Sequence, residues 1–225
     1  MVKNFQINRY IDHTLLKADA TKSQIKILCE EALLHHFFSV CINPYYVPFA
    51  FDLLKGSDVS VCTVVGFPLG ANCTKTKVLE AKNAIDQGAS EIDMVINIGA
   101  LKGQEWDIVK NDIQSVVLAA DENKVKVILE MCLLTHEEKI MALKLCCEAG
   151  AHFVKTSTGF STNGATIEDV LFMKNNILSK MEVKASGGVR DLFAAEQFLK
   201  AGATRLGTSS GIAILNGISS SKENY

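Results

Sequence analysis

In residues 151–160, AHFVKTSTGF, a lysine stands where the pattern predicts an apolar residue. His152, Phe153 and Val154 read as the start of a short buried strand, and Thr156–Gly159 as a loop of small hydroxyls. Burial strips an ammonium of its hydration and favours the neutral amine. A neutral lysine is a nucleophile that forms Schiff bases with carbonyl compounds. The competing reading is a lysine that emerges at the strand end and pairs with a carboxylate. A second lysine, Lys184 in EVKASGG, and a carboxylate, Asp93 in EIDMVIN, stand in similar surroundings. A second cation beside the first disfavours its charge, as in sites that use an amine nucleophile. A buried ion triad that only sets register is the alternative.

A repeat brings these residues to one level. QGASEIDMVIN, EAGAHFVKTST and KAGATRLGTSS each end a helix in Gly-Ala and enter a strand. The glycine suits the left-handed position after a helix. With Gly88, Gly150 and Gly202 in register, the fifth residues on are Asp93, Lys155 and Gly207. These belong to the fourth, sixth and eighth strands of the chain. Alternate strands of an eight-stranded barrel share interior layers. Asp93 and Lys155 are therefore expected to face inward together, with Gly207 leaving space beside them.

The strands that must carry them are expected at 10–13, 39–42, 59–65, 91–97, 125–131, around Lys155, at 182–186 and at 204–208. Helices are expected between them at 45–54, 74–87, 106–120, 166–178 and 192–200. Thr21 with Gln24 and Thr135 with Glu138 have capping-box spacing for two more. In the second of these, Ile140, Leu143 and Cys147 form the expected inward face, as Val78, Ala81 and Ile85 do over 74–87. Eight strand–helix alternations imply a parallel sheet and a single (β/α)8 barrel over 1–218, with a short N-terminal extension. A doubly wound open sheet is the alternative, but no GxGxxG follows the first strand. Residues 219–225 are expected to form a flexible C-terminal tail.

Composition narrows the function classes. The 225 residues are 48% hydrophobic and 21% charged, with a net charge of −2. No basic face is implied, so nucleic acid is not an expected partner. No apolar run reaches the ~18 residues of a membrane span, and the polar opening MVKNFQINRY lacks the features of a secretion signal. Seven cysteines without CxxC or zinc spacing read as reduced thiols of a cytoplasmic protein, with no metal expected.

Two glycine-rich turns follow the seventh and eighth strands: Ser186-Gly187-Gly188, and Gly207–Gly211 before the apolar segment 212–215. Barrels bind phosphate with these loops and the N-terminus of a short extra helix. Asp12 and Asn97 end strands and are candidates to orient Lys184 or a water; Glu130 either does the same or is simply a buried partner. Cys41 either lines the site or belongs to the core.

The motifs IDHTLLK, CINP, VVGFPLG, EIDMVIN, VILEMCLL, FVKTSTGF, VKASGGVR and LGTSSG together resemble the deoxyribose-phosphate aldolases, from Tyr10 to Leu215. The resemblance implies a class I aldolase on a (β/α)8 barrel, without metal or other cofactor. It implies reversible cleavage of 2-deoxyribose 5-phosphate to acetaldehyde and glyceraldehyde 3-phosphate. Lys155 would form the Schiff base, Lys184 perturb it, Asp93 transfer protons, and Asp12 place Lys184. Gly159, Gly187, Gly188, Ser209 and Ser210 would hold the phosphate. Phe160 stands where some relatives carry a lysine, so one phosphate cation is missing. A homodimer or higher homo-oligomer is expected. Members of the family often end in a tyrosine on a mobile tail, and Tyr225 is expected to visit the site, a solvated terminus being the alternative. A transaldolase-like enzyme and a non-catalytic sugar-phosphate sensor are the competing classes.

Overall fold

The computed structural model describes residues 6–177 and 180–218. A 3-10 turn, Ile7–Tyr10, leads into eight strands: β1 Ile11–Leu15, β2 Ser39–Ile42, β3 Ser60–Val65, β4 Glu91–Val95, β5 Lys124–Ile128, β6 Phe153–Lys155, β7 Glu182–Ser186 and β8 Arg205–Thr208. Each pairs in parallel with the next, and β8 pairs back to β1, so the sheet closes into a barrel. This excludes the open doubly wound sheet. Around it run α1 Lys22–His35, α2 Val47–Leu54, α3 Thr74–Asp86, α4 Ile98–Lys102, α5 Trp106–Ala119, α6 His136–Glu148, α7 Ile167–Asn176, α8 Leu192–Lys200 and α9 Gly211–Leu215. Among the described residues no helix is long and apolar enough to cross a membrane.

Local chemistry explains most boundaries. Thr21 with Gln24 and Thr135 with Glu138 close reciprocal capping boxes on α1 and α6. Gly88, Gly150 and Gly202, just past three helix ends, take φ of +106°, +79° and +110°, the left-handed turn that the repeat predicts. The main core lies between the barrel wall and the helices, where Ile25, Cys29 and Ala32 of α1 and Val109, Ile113 and Val116 of α5 are buried.

Four expectations change. β5 ends at Ile128, not at residue 131, because Glu130 adopts a left-handed φ of +54° and starts a 3-10 turn over Met131–Leu133. The segment 45–54 divides into a 3-10 turn, Pro44–Tyr46, and α2. In α6 Leu143 is buried as expected, but Ile140 is exposed and Cys147 half-buried, and Ala142, Leu145 and Cys146 are buried in their place. The helix expected over 166–178 ends at Asn176, and Leu178 lies outside the described residues, as does the segment 219–225 with Tyr225.

One charged residue of α3 is wholly buried. Lys77 donates to Asp112 Oδ2 at 2.5 Å and to the Val95 carbonyl at 3.0 Å. Thr74 Oγ1 donates to the other Asp112 oxygen at 2.9 Å. The pair ties α3 to α5 behind β4. Removing one partner leaves an uncompensated ion in the core, which costs about 3–5 kcal/mol. Asp112→Ala is thus expected to lower unfolding free energy in urea by that amount, and Lys77→Met with Asp112→Leu by clearly less. Equal losses in both would show that the packing, not the stranded charge, carries the effect.

Candidate active site

The barrel lumen is ionic. Asp93 enters from β4, and Lys155, at the end of β6, donates to its Oδ2 at 2.9 Å. Lys184 of β7, the register partner of Lys155, donates to the same oxygen at 2.7 Å. Lys184 also donates to Asp12 of β1. Lys126 of β5 donates to Asp93 Oδ1 at 2.8 Å and pairs with Glu91 at 2.7 Å. Arg205 of β8 closes the network, at 2.9 Å from Asp12 and 2.8 Å from Glu91. Its guanidinium stacks 3.4 Å over the Phe38 ring at the N-terminal mouth of the barrel. A side chain at Gly207 would meet the Lys184 Cε at 3.1 Å and the Ser186 Cβ at 2.9 Å, so glycine is what leaves room for the lysine.

These contacts decide the charge states. Burial alone would raise the Asp93 carboxyl, but Lys126, Lys155 and Lys184 together hold it well below the usual carboxylate range. Burial also opposes the Lys184 ammonium, and Asp12 and Asp93 outweigh it, so its pKa is raised. Lys126 is raised for the same reason, by Asp93, Cys62 and Glu91 against burial. A hydrogen bond with Cys62 holds the Cys41 thiol down, whereas burial pushes Cys62 well up.

The loop after Lys155 is fixed from both sides. Thr156 Oγ1 donates to the Ser186 carbonyl at 3.1 Å, and Ser186 Oγ to the Ser157 carbonyl at 2.6 Å. The Thr158 N–H and hydroxyl both donate to Glu130. Beyond this loop opens a recess of about 290 Å³ whose wall includes Gly159, Gly187, Gly188, Ser209 and Ser210. Gly187 has φ +82°, and a side chain on the facing Gly164 would lie 2.2 Å from the Gly187 carbonyl oxygen. Two backbones meet there with no side chain between them. Arg190 lines the same recess.

A family model described as DeoC/LacD family aldolase matches residues 7–218. The chain belongs to the DeoC/LacD aldolase family. A Geobacillus deoxyribose-phosphate aldolase is 60% identical to this aldolase over 212 residues, covering 94% of this chain and 95% of its own. One from Lactococcus lactis subsp. lactis is 55% identical over 220 residues, covering 98% and 100%. The solved tetrameric deoxyribose phosphate aldolase of Aeropyrum pernix superposes with a TM-score of 0.87 at 32% identity, over 93% of this chain and 89% of its own.

Within this aldolase the structure brings Lys155, Lys184, Asp93 and Asp12 into one cluster and the five glycine and serine positions into one recess. Cys41 is buried in a small lumen cluster with Leu16, Cys62 and Val64. Two candidates to orient Lys184 stand elsewhere. The Asn97 side chain accepts from the Ala100 N–H and caps α4, because the chain turns into a helix directly after β4. Glu130 is taken up by Thr158. Sequence reasoning missed Lys126, Glu91, Arg205 and Arg190. A signal for Lys126 was present: Val-Lys recurs at 125–126, 154–155 and 183–184, in the three consecutive strands β5, β6 and β7.

Proposed function

We propose that this chain reversibly cleaves 2-deoxy-D-ribose 5-phosphate to acetaldehyde and D-glyceraldehyde 3-phosphate through a Schiff base on Lys155. The observation that carries this reading is the position of Lys155. It stands at the open end of an ionic cluster, as the last residue of β6, where the chain enters the loop beside a glycine-walled recess. Four cations (Lys126, Lys155, Lys184, Arg205) share three carboxylates (Asp12, Glu91, Asp93) in that cluster, so loss of one proton balances it. Lys155 has one carboxylate within 4 Å, Lys184 two and Lys126 three. Lys155 is therefore the amine least enclosed by carboxylates.

The free amine attacks C1 of the open-chain sugar, and loss of water leaves an iminium. Asp93, alone or through a water, takes the proton of the C3 hydroxyl. The C2–C3 bond then breaks, its electron pair moves toward the iminium, and glyceraldehyde 3-phosphate departs from an enamine. Protonation at the methylene carbon and hydrolysis release acetaldehyde and regenerate the amine. Asp12 holds Lys184 in place, and Lys184 keeps the positive charge that makes a second ammonium unfavourable. The phosphate lies in the recess against the N–H groups of the loops after β7 and β8, with Arg190 supplying the cation that Phe160 does not. That contact orients C1 with binding energy remote from the reacting bond.

The test is a substrate panel on the wild type and on Ser210→Glu, which puts a carboxylate where the phosphate should sit. The wild type is expected to cleave 2-deoxyribose 5-phosphate in preference to longer sugar phosphates. In the variant KM for the phosphorylated sugar should rise about a hundredfold, the scale of a lost charge-assisted contact turned repulsive. KM for free 2-deoxyribose should change little. Equal effects on both sugars would remove the phosphate assignment.

A further inference from the structure

Two thiols of the lumen face each other directly. Cys41 and Cys62 are register partners on β2 and β3, and both are fully buried in the small cluster against which Phe67 packs. Cys62 Sγ lies 3.2 Å from Asp93 Oδ1. The two sulfurs and an Asp93 oxygen all fall within 4.8 Å of one another. A tetrahedral zinc ion with ordinary bond lengths needs roughly 3.8 Å between two sulfurs and roughly 3.5 Å between sulfur and carboxylate oxygen. The three donors meet that need with side-chain adjustment alone.

We propose that Cys41, Cys62 and Asp93 form a site for one soft divalent metal ion, zinc or cadmium in kind, that takes Asp93 Oδ1 away from Lys126. The surrounding ammoniums do not forbid it. The ion brings two positive charges, each thiol releases one proton on forming its metal–sulfur bond, and the lumen gains no net charge. The group that must give way is Lys126, 3.3 Å from Cys62 Sγ and 2.8 Å from Asp93 Oδ1. The fourth position is then open to water. Two thiolates and one carboxylate select soft ions, so magnesium and calcium, which need six or more oxygens, do not compete. The ion has no part in the chemistry proposed for Lys155.

Cadmium chloride titrated into the full chain should produce thiolate-to-cadmium absorption that saturates at one ion per chain. Zinc should displace it, and a large excess of magnesium should not. Cys41→Ser and Cys62→Ser should each weaken binding by about a hundredfold, while Cys73→Ser, at an exposed thiol, should bind as the wild type does. Unchanged binding in both lumen variants, or its loss in Cys73→Ser, would overturn the site. X-ray absorption of the cadmium-loaded wild type gives a reading that a folding defect in a variant cannot mimic. Two sulfurs with lighter donors are expected, and any other sulfur count refutes the proposal. Neither readout passes through an aldol reaction, so its failure and failure of the proposed activity are distinguishable.

Discussion

Lys155→Ala is expected to lower deoxyribose phosphate cleavage by about 10⁴-fold or more, the scale for loss of a covalent nucleophile. It should also abolish the adduct that acetaldehyde and borohydride leave on the wild-type chain. The lumen holds three lysines, so the adduct's location is the informative result. Lys184 and Lys126 are fully buried, and each is held by more than one carboxylate. Lys155 keeps a sliver of exposure, 3%, and a single ion pair at 2.9 Å. The fold should survive the change, because Asp93 retains Lys126 and Lys184. Peptide mapping that placed the adduct on Lys184 would reverse the two roles.

The second large effect is expected from Lys184→Leu. The raised pKa of Lys184 keeps it charged across the working range. Its contribution to folding is fully present below its unfolded value, near 10.4, and is lost only as pH rises through the higher folded value. At neutral pH the wild-type lumen therefore carries this ammonium at all times. Without it Asp93 Oδ2 has Lys155 as its remaining lysine partner, and the second positive charge beside that amine is gone. The rate at neutral pH should fall by about 10²–10⁴-fold. The rising limb of the pH–rate profile should move to higher pH, so that part of the rate returns under alkaline conditions. A lower plateau on an unshifted profile would reduce Lys184 to a positioning residue. The carboxylates have the opposite sign: Asp93 is depressed, so its pairs persist above the ordinary carboxylate range and fail only as pH falls through the folded value.

Much of the fold was legible because several barrel strands, β2 and β3 among them, are short apolar runs between turn residues. The Gly-Ala repeat also placed Asp93, Lys155 and Gly207 at corresponding positions without any contact information. Where the reading failed, the deciding contact was distant in sequence. Lys77 has the same local look as Lys75 and Lys82, and only Asp112, 35 residues away, marks it as buried. Arg205 was passed over because its partners are 193 and 114 residues upstream. Asn97 was placed at a strand end, yet a short polar side chain there caps a helix equally well. Ile140 shows the limit of an apolar stripe, since the packing of α6 against its neighbours α4, α5 and α7 decides which face turns inward.

The ionic lumen has a consequence for the order in which the chain is made. Its carboxylates, Asp12, Glu91 and Asp93, all come from the first four strands, and its cations, Lys126, Lys155, Lys184 and Arg205, all come from the last four. A nascent chain that has left the ribosome only through β4 carries buried-side anions with no counterion in the lumen. Two such half-barrels from different chains repel one another where they would have to join, and so do two C-terminal halves. The complementary halves attract. Closure thus waits for the chain's own later strands, and the charges that serve the proposed chemistry also discourage like halves from assembling with like.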